Sequence, residues 1–167
     1  MKNNSPPNQN KFKKLSPELT RFIESMGMYF ESQGVPRIGG RILGLLLIAH
    51  EPLTADSIGT ILKVSRASIS TNIRLLTNSG LVEKTSLLHD RITYFVFSDT
   101  AWEQAMLVGV QKAKVMKDLA QQGMAALPDG DSARERLGRT IQWANLVAEV
   151  YEKIHIEWRA KYPNLVR

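Results

Sequence analysis

From Ser65 to Leu76 the chain reads Ser-Arg-Ala-Ser-Ile-Ser-Thr-Asn-Ile-Arg-Leu-Leu, and its side chains sort into two kinds by position. Ile69, Ile73 and Leu76 recur at steps of four and three, so on a helix they share one buried side. The other side offers Ser65, Arg66, Ser68, Ser70, Thr71 and Arg74. Short hydroxyls can approach phosphates and base edges, and arginines can reach guanine edges or backbone oxygens. This is chemistry for reading double-stranded DNA in its major groove, not for making or breaking bonds. A face meant for protein would carry apolar anchors. One meant for unpaired RNA bases would carry aromatic rings.

Such a helix has to be held out by neighbours. Thr54 can cap a preceding short helix whose apolar side is Ile58, Ile61 and Leu62; Val64 plugs the turn, and Ser65 caps the second helix. Gly80, after Asn78-Ser79, is a C-terminal stop. Leu81–Ser86 and Arg91–Phe97 then read as two strands around the tip Leu87-Leu88-His89-Asp90. Helix, turn, helix and hairpin in that order predict a winged helix-turn-helix. The alternatives are an ordinary solvated helix pair beside a hairpin, or a winged helix that serves only as a protein-interaction module.

Upstream, Ser16-Pro17-Glu18 is a helix start: a cap, proline at the first position and an acid at the positive end of the dipole. Leu19, Phe22, Ile23, Met26 and Phe30 are its expected buried stripe. A further helix opens at Pro36 and contains Gly39, Gly40 and Gly44, each costing roughly 1 kcal/mol relative to alanine. That cost implies close approach by a neighbouring helix or a phosphate backbone. Arg37 and Arg41 are four residues apart and share a face near the helix N-terminus, where free N–H groups favour anions. They read either as a phosphate clamp or as a pair of solvated arginines. GGRILG is no nucleotide-binding loop, because it lacks the downstream Gly-Lys-Ser/Thr and follows no strand.

After Ser98-Asp99, Thr100 with Glu103 and Ser132 with Glu135 form two capping-box patterns. Trp102, Met106, Gly109, Ala113, Met116, Ala120, Gly123 and Leu127 make one heptad-like seam. Leu137, Ile141, Ala144, Ala148, Tyr151, His155 and Trp158 make another, beyond the break at Pro128–Gly130. Two helices of this kind offer more apolar surface than a winged domain can cover, so a homodimer is expected. Its two-fold axis would present two reading helices to successive major grooves about 34 Å apart.

The fold class expected is therefore mainly α with a small β-hairpin wing. Residues 1–15 form a disordered basic tail, 16–35 an N-terminal dimerisation helix, 36–98 the winged domain and 99–167 a two-helix dimerisation region. Charge supports this layout within a net +6: residues 1–14 carry four lysines and no acid, 36–98 carry seven basic and four acidic side chains, and 99–167 is nearly balanced. Positive charge thus collects where DNA would lie.

Catalysis is not expected. His50, His89 and His155 have no partner at metal-ligand spacing, and no acid pair or nucleophile-elbow context occurs. No cofactor is implied. The chain has no cysteine, the longest apolar run, Ile42 to Ala49, is too short to span a bilayer, and the N-terminal stretch lacks an apolar signal region. A cytoplasmic protein without a membrane partner is the expectation.

Gly34-Val35-Pro36-Arg37 and Gly40-Arg41-Ile42-Leu43-Gly44-Leu45-Leu46 resemble the G-x-P-R…G-R-I-x-G-x-L-L signature of GbsR-type regulators, a branch of the MarR-like winged-helix group. The resemblance runs through Val64–Leu76, Gly80–Glu83 and Asp90–Phe95, covering about residues 20–100. Beyond Asp99 it is one of layout. It implies a bacterial dimeric transcriptional regulator, usually a repressor, with Ser65, Arg66, Ser68, Ser70, Thr71 and Arg74 on the major groove. It also implies that Arg91 enters the adjacent minor groove with Asp90 fixing its orientation. Lys63 stands where such turns often carry glycine, and Leu87-Leu88-His89 replaces a glycine turn at the wing tip. Some members sense choline, and a choline-like effector would need an aromatic cage, for which Trp102, Trp143, Tyr151 and Trp158 are the candidates.

Overall fold

The computed structural model describes residues 15–86 and 91–163, which form two compact units, one ending at Ser98 and the other beginning at Asp99. The first unit holds α1 (Pro17–Ser32), α2 (Arg37–Leu47), β1 (Leu53–Thr54), α3 (Ala55–Leu62), α4 (Arg66–Asn78), β2 (Val82–Thr85) and β3 (Tyr94–Phe97). The second is a pair of long helices, α5 (Ala101–Ala126) and α6 (Ala133–Lys161). This is the expected mainly α fold with a small sheet.

In the first unit the local signals do what their chemistry requires. The Ser16 hydroxyl accepts from Leu19 N–H, Thr54 from Ser57 N–H and Ser65 from Ser68 N–H, so each of α1, α3 and α4 starts on a hydroxyl cap. Gly80, at φ 73°, turns the chain out of α4 while Leu81 N–H closes back on the Leu76 carbonyl. The sheet is three-stranded and antiparallel, in the order β1-β3-β2, with Val82 opposite Phe97 and Leu53 opposite Phe95. The short β1 is an addition to the expected hairpin.

Ile42, Leu43, Leu45, Ile58, Ile69, Leu76 and Val82 are fully buried in one core shared by α2, α3, α4 and the sheet. The cost of the α2 glycines is explained by the neighbouring helix. A Cβ on Gly40 would sit 2.6 Å from the Met26 carbonyl oxygen and 2.9 Å from Gly27 Cα, and one on Gly44 would sit 3.0 Å from Met26 Cβ. α1 therefore crosses α2 on a seam of glycines. The expected α1 stripe is only partly buried: Ile23 is in the core, while Leu19 and Phe22 are exposed. The basic tail lies outside the described residues apart from Leu15, which is half-buried against the core.

In the second unit α5 and α6 pack against each other along small residues. Ala113, Ala120 and Ala144 are buried, the Tyr151 ring lies on Gly109, and Leu137 lies on Gly123. Trp102 and Met116, expected in the same seam, are exposed instead. Neither capping box forms. Thr100 and Ser132 make no side-chain cap; Asp131 Oδ1 accepts from Ala133 N–H at 2.7 Å, and Arg134 reaches back to the Met124 and Leu127 carbonyls at 2.9 Å each. Glu103 turns inward, with its Oε1 2.7 Å from His155 Nε2.

Candidate nucleic-acid interface

α4 buries Ile69, Asn72, Ile73 and Leu76 against the core. That leaves Ser65, Arg66, Ser70, Thr71 and Arg74 exposed on its outer side. Ser68 is half-buried: its N–H and hydroxyl both engage Ser65, so its first task is to close the capped turn. Arg66 Nε lies 3.7 Å from Asp56 Oδ1 of α3, between two highly exposed side chains, a contact too weak to withhold it from another partner. Ala67, Lys63 and Asn78 are exposed alongside them. Periodicity had marked the apolar side and left these three unassigned, although an outward alanine or asparagine carries no pattern of its own.

Asn72 is buried, with its amide donating to the Ser68 carbonyl at 2.8 Å. Gly39 is the α2 residue that makes room for it, since a Cβ there would lie 3.2 Å from Asn72 Oδ1. The outer side of α4 is thus presented by a helix seated on α2 through both apolar and polar packing. The groove beside its N-terminus, about 320 Å³, is lined by Asp56, Gly59, Thr60, Lys63, Val64 and Arg66.

Arg37 and Arg41 are held within the unit. Arg37 Nη2 lies 3.1 Å from Glu24 Oε2, and Arg41 Nε lies 2.7 Å from Glu24 Oε1. Arg41 Nη2 donates to the Leu62 carbonyl at 3.0 Å. Neither arginine is simply solvated. Arg91 is exposed at the start of the return strand region, whereas Asp90 lies outside the described residues.

The aromatic side chains considered for a cage do not converge along α6. Trp143 and Trp158 are fifteen residues apart, which is about 22 Å along a helix axis. Tyr151 covers Gly109, and Trp158 pairs with Tyr162 at 4.8 Å between ring centroids. His155, half-buried against Glu103, is a hydrogen-bonded histidine of the helix pair. Among the described residues no group of three His, Asp or Glu side chains could hold a metal, and no helix is long and apolar enough to cross a membrane.

The HTH-type transcriptional regulator MmpR5 of Mycobacterium tuberculosis (strain ATCC 25618 / H37Rv) is 36% identical to this chain over 127 residues, which is 75% of this chain and 77% of that protein. The chain belongs to the MarR family of transcriptional regulators. Within the chain of this MarR-family regulator, residues 100–161 match the family model described as MmpR5-like MarR family transcriptional regulator. A crystal structure of a transcriptional regulator shares 31% identity and a TM-score of 0.78, covering 86% of this MarR-family chain and 99% of the other. The regulator is a DNA-binding protein, in keeping with an outer α4 surface that offers hydrogen-bond donors and cations.

Proposed function

We propose that this regulator is a homodimeric repressor that sets two copies of α4 into successive major grooves of an inverted-repeat operator. The observation that carries the reading is the outer side of α4, where Arg66, Ser70, Thr71 and Arg74 are exposed while the opposite side is locked in the core. Ser65 and Ser68 form the capped first turn, where a helix entering the groove makes its closest approach to bases and phosphates. Arg91 on the wing takes the adjacent minor groove, whose width and potential favour an inserted arginine.

Dimerisation is supported by the apolar surface left open on the long helices. Trp143, Leu146, Val150 and Ile154 form one exposed stripe on α6, and Val108, Val115 and Leu119 another on α5. Water-exposed stripes of this extent mark an interface, and we assign α5, α6 and α1 to it. A two-fold dimer explains why one reading helix per chain suffices. Selection of sites from random duplex DNA should return an inverted repeat with half-sites one helical turn apart; unrelated or single half-sites would contradict the proposal.

The narrower GbsR-type assignment, with a choline-like effector, draws its support from the Gly34–Leu46 and Val64–Leu76 motifs. Calorimetric titration with choline tests it, and absence of binding at millimolar concentration removes choline from the scheme. A regulator of this kind works in the cytoplasm, where its operator is.

A further inference from the structure

We propose that Arg41 is a positioning residue for the turn that aims α4, and that Glu24 on α1 holds Arg41 in place. The inference rests on the proposed operator reading and adds a link between α1 and the DNA-reading helix. It starts from the last residues of α3. A helix ends with carbonyls that lack an intrahelical partner, and here the Leu62 carbonyl is taken by Arg41 Nη2 at 3.0 Å. Lys63 follows at φ 55°, Val64 N–H closes on the Gly59 carbonyl, and Ser65 caps α4. Between the Leu62 carbonyl and the first turn of the reading helix there are thus only three residues, Lys63, Val64 and Ser65. Whatever fixes that carbonyl fixes the direction in which α4 leaves.

Arg41 reaches the turn because it is aimed from behind. Its Nε is buried and lies 2.7 Å from Glu24 Oε1, an ion contact rather than an aligned hydrogen bond. The other carboxylate oxygen of Glu24 is 3.1 Å from Arg37 Nη2. One carboxylate therefore bridges two arginines of α2. The glycine seam sets the height of α1 above them, because Gly27 packs against the Arg41 and Arg37 side chains and Gly40 admits the α1 backbone. The planar guanidinium can serve Glu24 and the carbonyl at once, which a lysine ammonium does poorly. A partner or ligand that shifts α1 would change how firmly the turn is held.

This role and a phosphate clamp give opposite signs for one variant. Glu24→Gln removes a negative charge and frees both arginines. If they are a clamp, every duplex should bind more tightly, with a steeper dependence on salt. If Arg41 positions the turn, Glu24→Gln should weaken binding to the selected operator about three- to tenfold, a size in keeping with a partly exposed charge-assisted bond. Affinity for an unrelated duplex and the slope of log K against log salt should stay as in the wild type. Arg41→Lys, which keeps the charge, should lose operator affinity as Arg41→Gln does; restoration by lysine points to a clamp. Fluorescence anisotropy on the full-length protein at several salt concentrations reads all of these. Thermal unfolding of each variant confirms that the fold is retained, and Glu24→Gln, at the surface, carries the test should Arg41 variants unfold. Wild-type affinity, tighter binding, or an equal loss on both duplexes by Glu24→Gln overturns the inference. Failure of the wild-type protein to select any operator would instead overturn the reading beneath it.

Discussion

Two exposed helix surfaces in this chain are built on the same periodicity and opposite chemistry. The outer side of α4 carries Arg66, Ser70, Thr71 and Arg74, and the open side of α6 carries Trp143, Leu146, Val150 and Ile154. The first would gain little from leaving water for protein, because its cations and hydroxyls are already solvated. It gains by releasing counterions from a polyanion. The second gains whenever water is expelled, at about 25 cal/mol per Å² of apolar surface. The contrast teaches that exposure alone assigns nothing; the chemistry of the exposed side chains says which kind of partner each surface awaits.

The largest effect is expected when the α6 stripe is made to resemble the α4 surface. Replacing both Leu146 and Val150 by glutamate puts two charges where an apolar partner should sit, and burying an unpaired charge is prohibitive. Sedimentation should show monomers in place of dimers. Operator affinity should fall by roughly a hundredfold or more as the second half-site is lost. A dimer that survives both substitutions would move the interface elsewhere.

Next in size is Arg74→Ala on the other surface. A base or phosphate contact from arginine is worth about 1–3 kcal/mol, so operator binding should weaken about tenfold to a hundredfold while thermal unfolding is unchanged. The structure gives Arg74 an exposed position on the outside of α4, so stability has no reason to move. Equal binding by the variant would remove Arg74 from the interface.

How much of this was legible in the sequence differs between the two units for a physical reason. In the first unit the decisive signals are local. The hydroxyl caps at Ser16, Thr54 and Ser65 and the three-and-four spacing of Ile69, Ile73 and Leu76 depend only on neighbours along the chain. Features made by distant partners were not visible. β1 is two residues long and exists because Leu53 and Thr54 pair with Phe95 and Tyr94. The engagement of Arg41 depends on Glu24, on another helix. In the second unit the capping-box spacing was present without the boxes, since Glu103 finds His155, 52 residues away, instead of its own helix end. The family model matches residues 100–161, where repeated small and apolar residues had suggested only a layout.

The glycine seam gives a third test, confined to the inside of the first unit. Gly40→Ala places a methyl 2.6 Å from the Met26 carbonyl oxygen and 2.8 Å from Phe30 Cβ. Backbone cannot yield as a side-chain tip can, so α1 must lift from α2. Overpacking of this kind costs about 1–3 kcal/mol, and the midpoint of thermal unfolding should drop by several degrees. If α1 also transmits position to the α3–α4 turn, the variant should lose operator affinity at temperatures well below its unfolding. An unchanged midpoint would show that the seam has slack.

The smallest effect expected concerns Lys63, which ends α3 at φ 55° and ψ 48°, in the left-handed region that favours glycine. A lysine held there costs about 1–2 kcal/mol. Glycine would remove that strain but would add freedom to the unfolded chain, returning roughly 0.5–1 kcal/mol of the gain. Lys63→Gly should therefore stabilise the protein slightly, raising the unfolding midpoint by about 2–4 °C at most. The lysine is exposed next to Arg66 along the α3–α4 groove. Its loss should at the same time weaken binding to any duplex a little and lower the salt slope by no more than about one. Stability and affinity would then move in opposite directions. This is the pattern expected if a strained turn keeps lysine for its charge. Should Lys63→Gly lower both together, the side chain contributes to the fold itself, and the turn owes its shape to more than the Arg41 contact and the Ser65 cap.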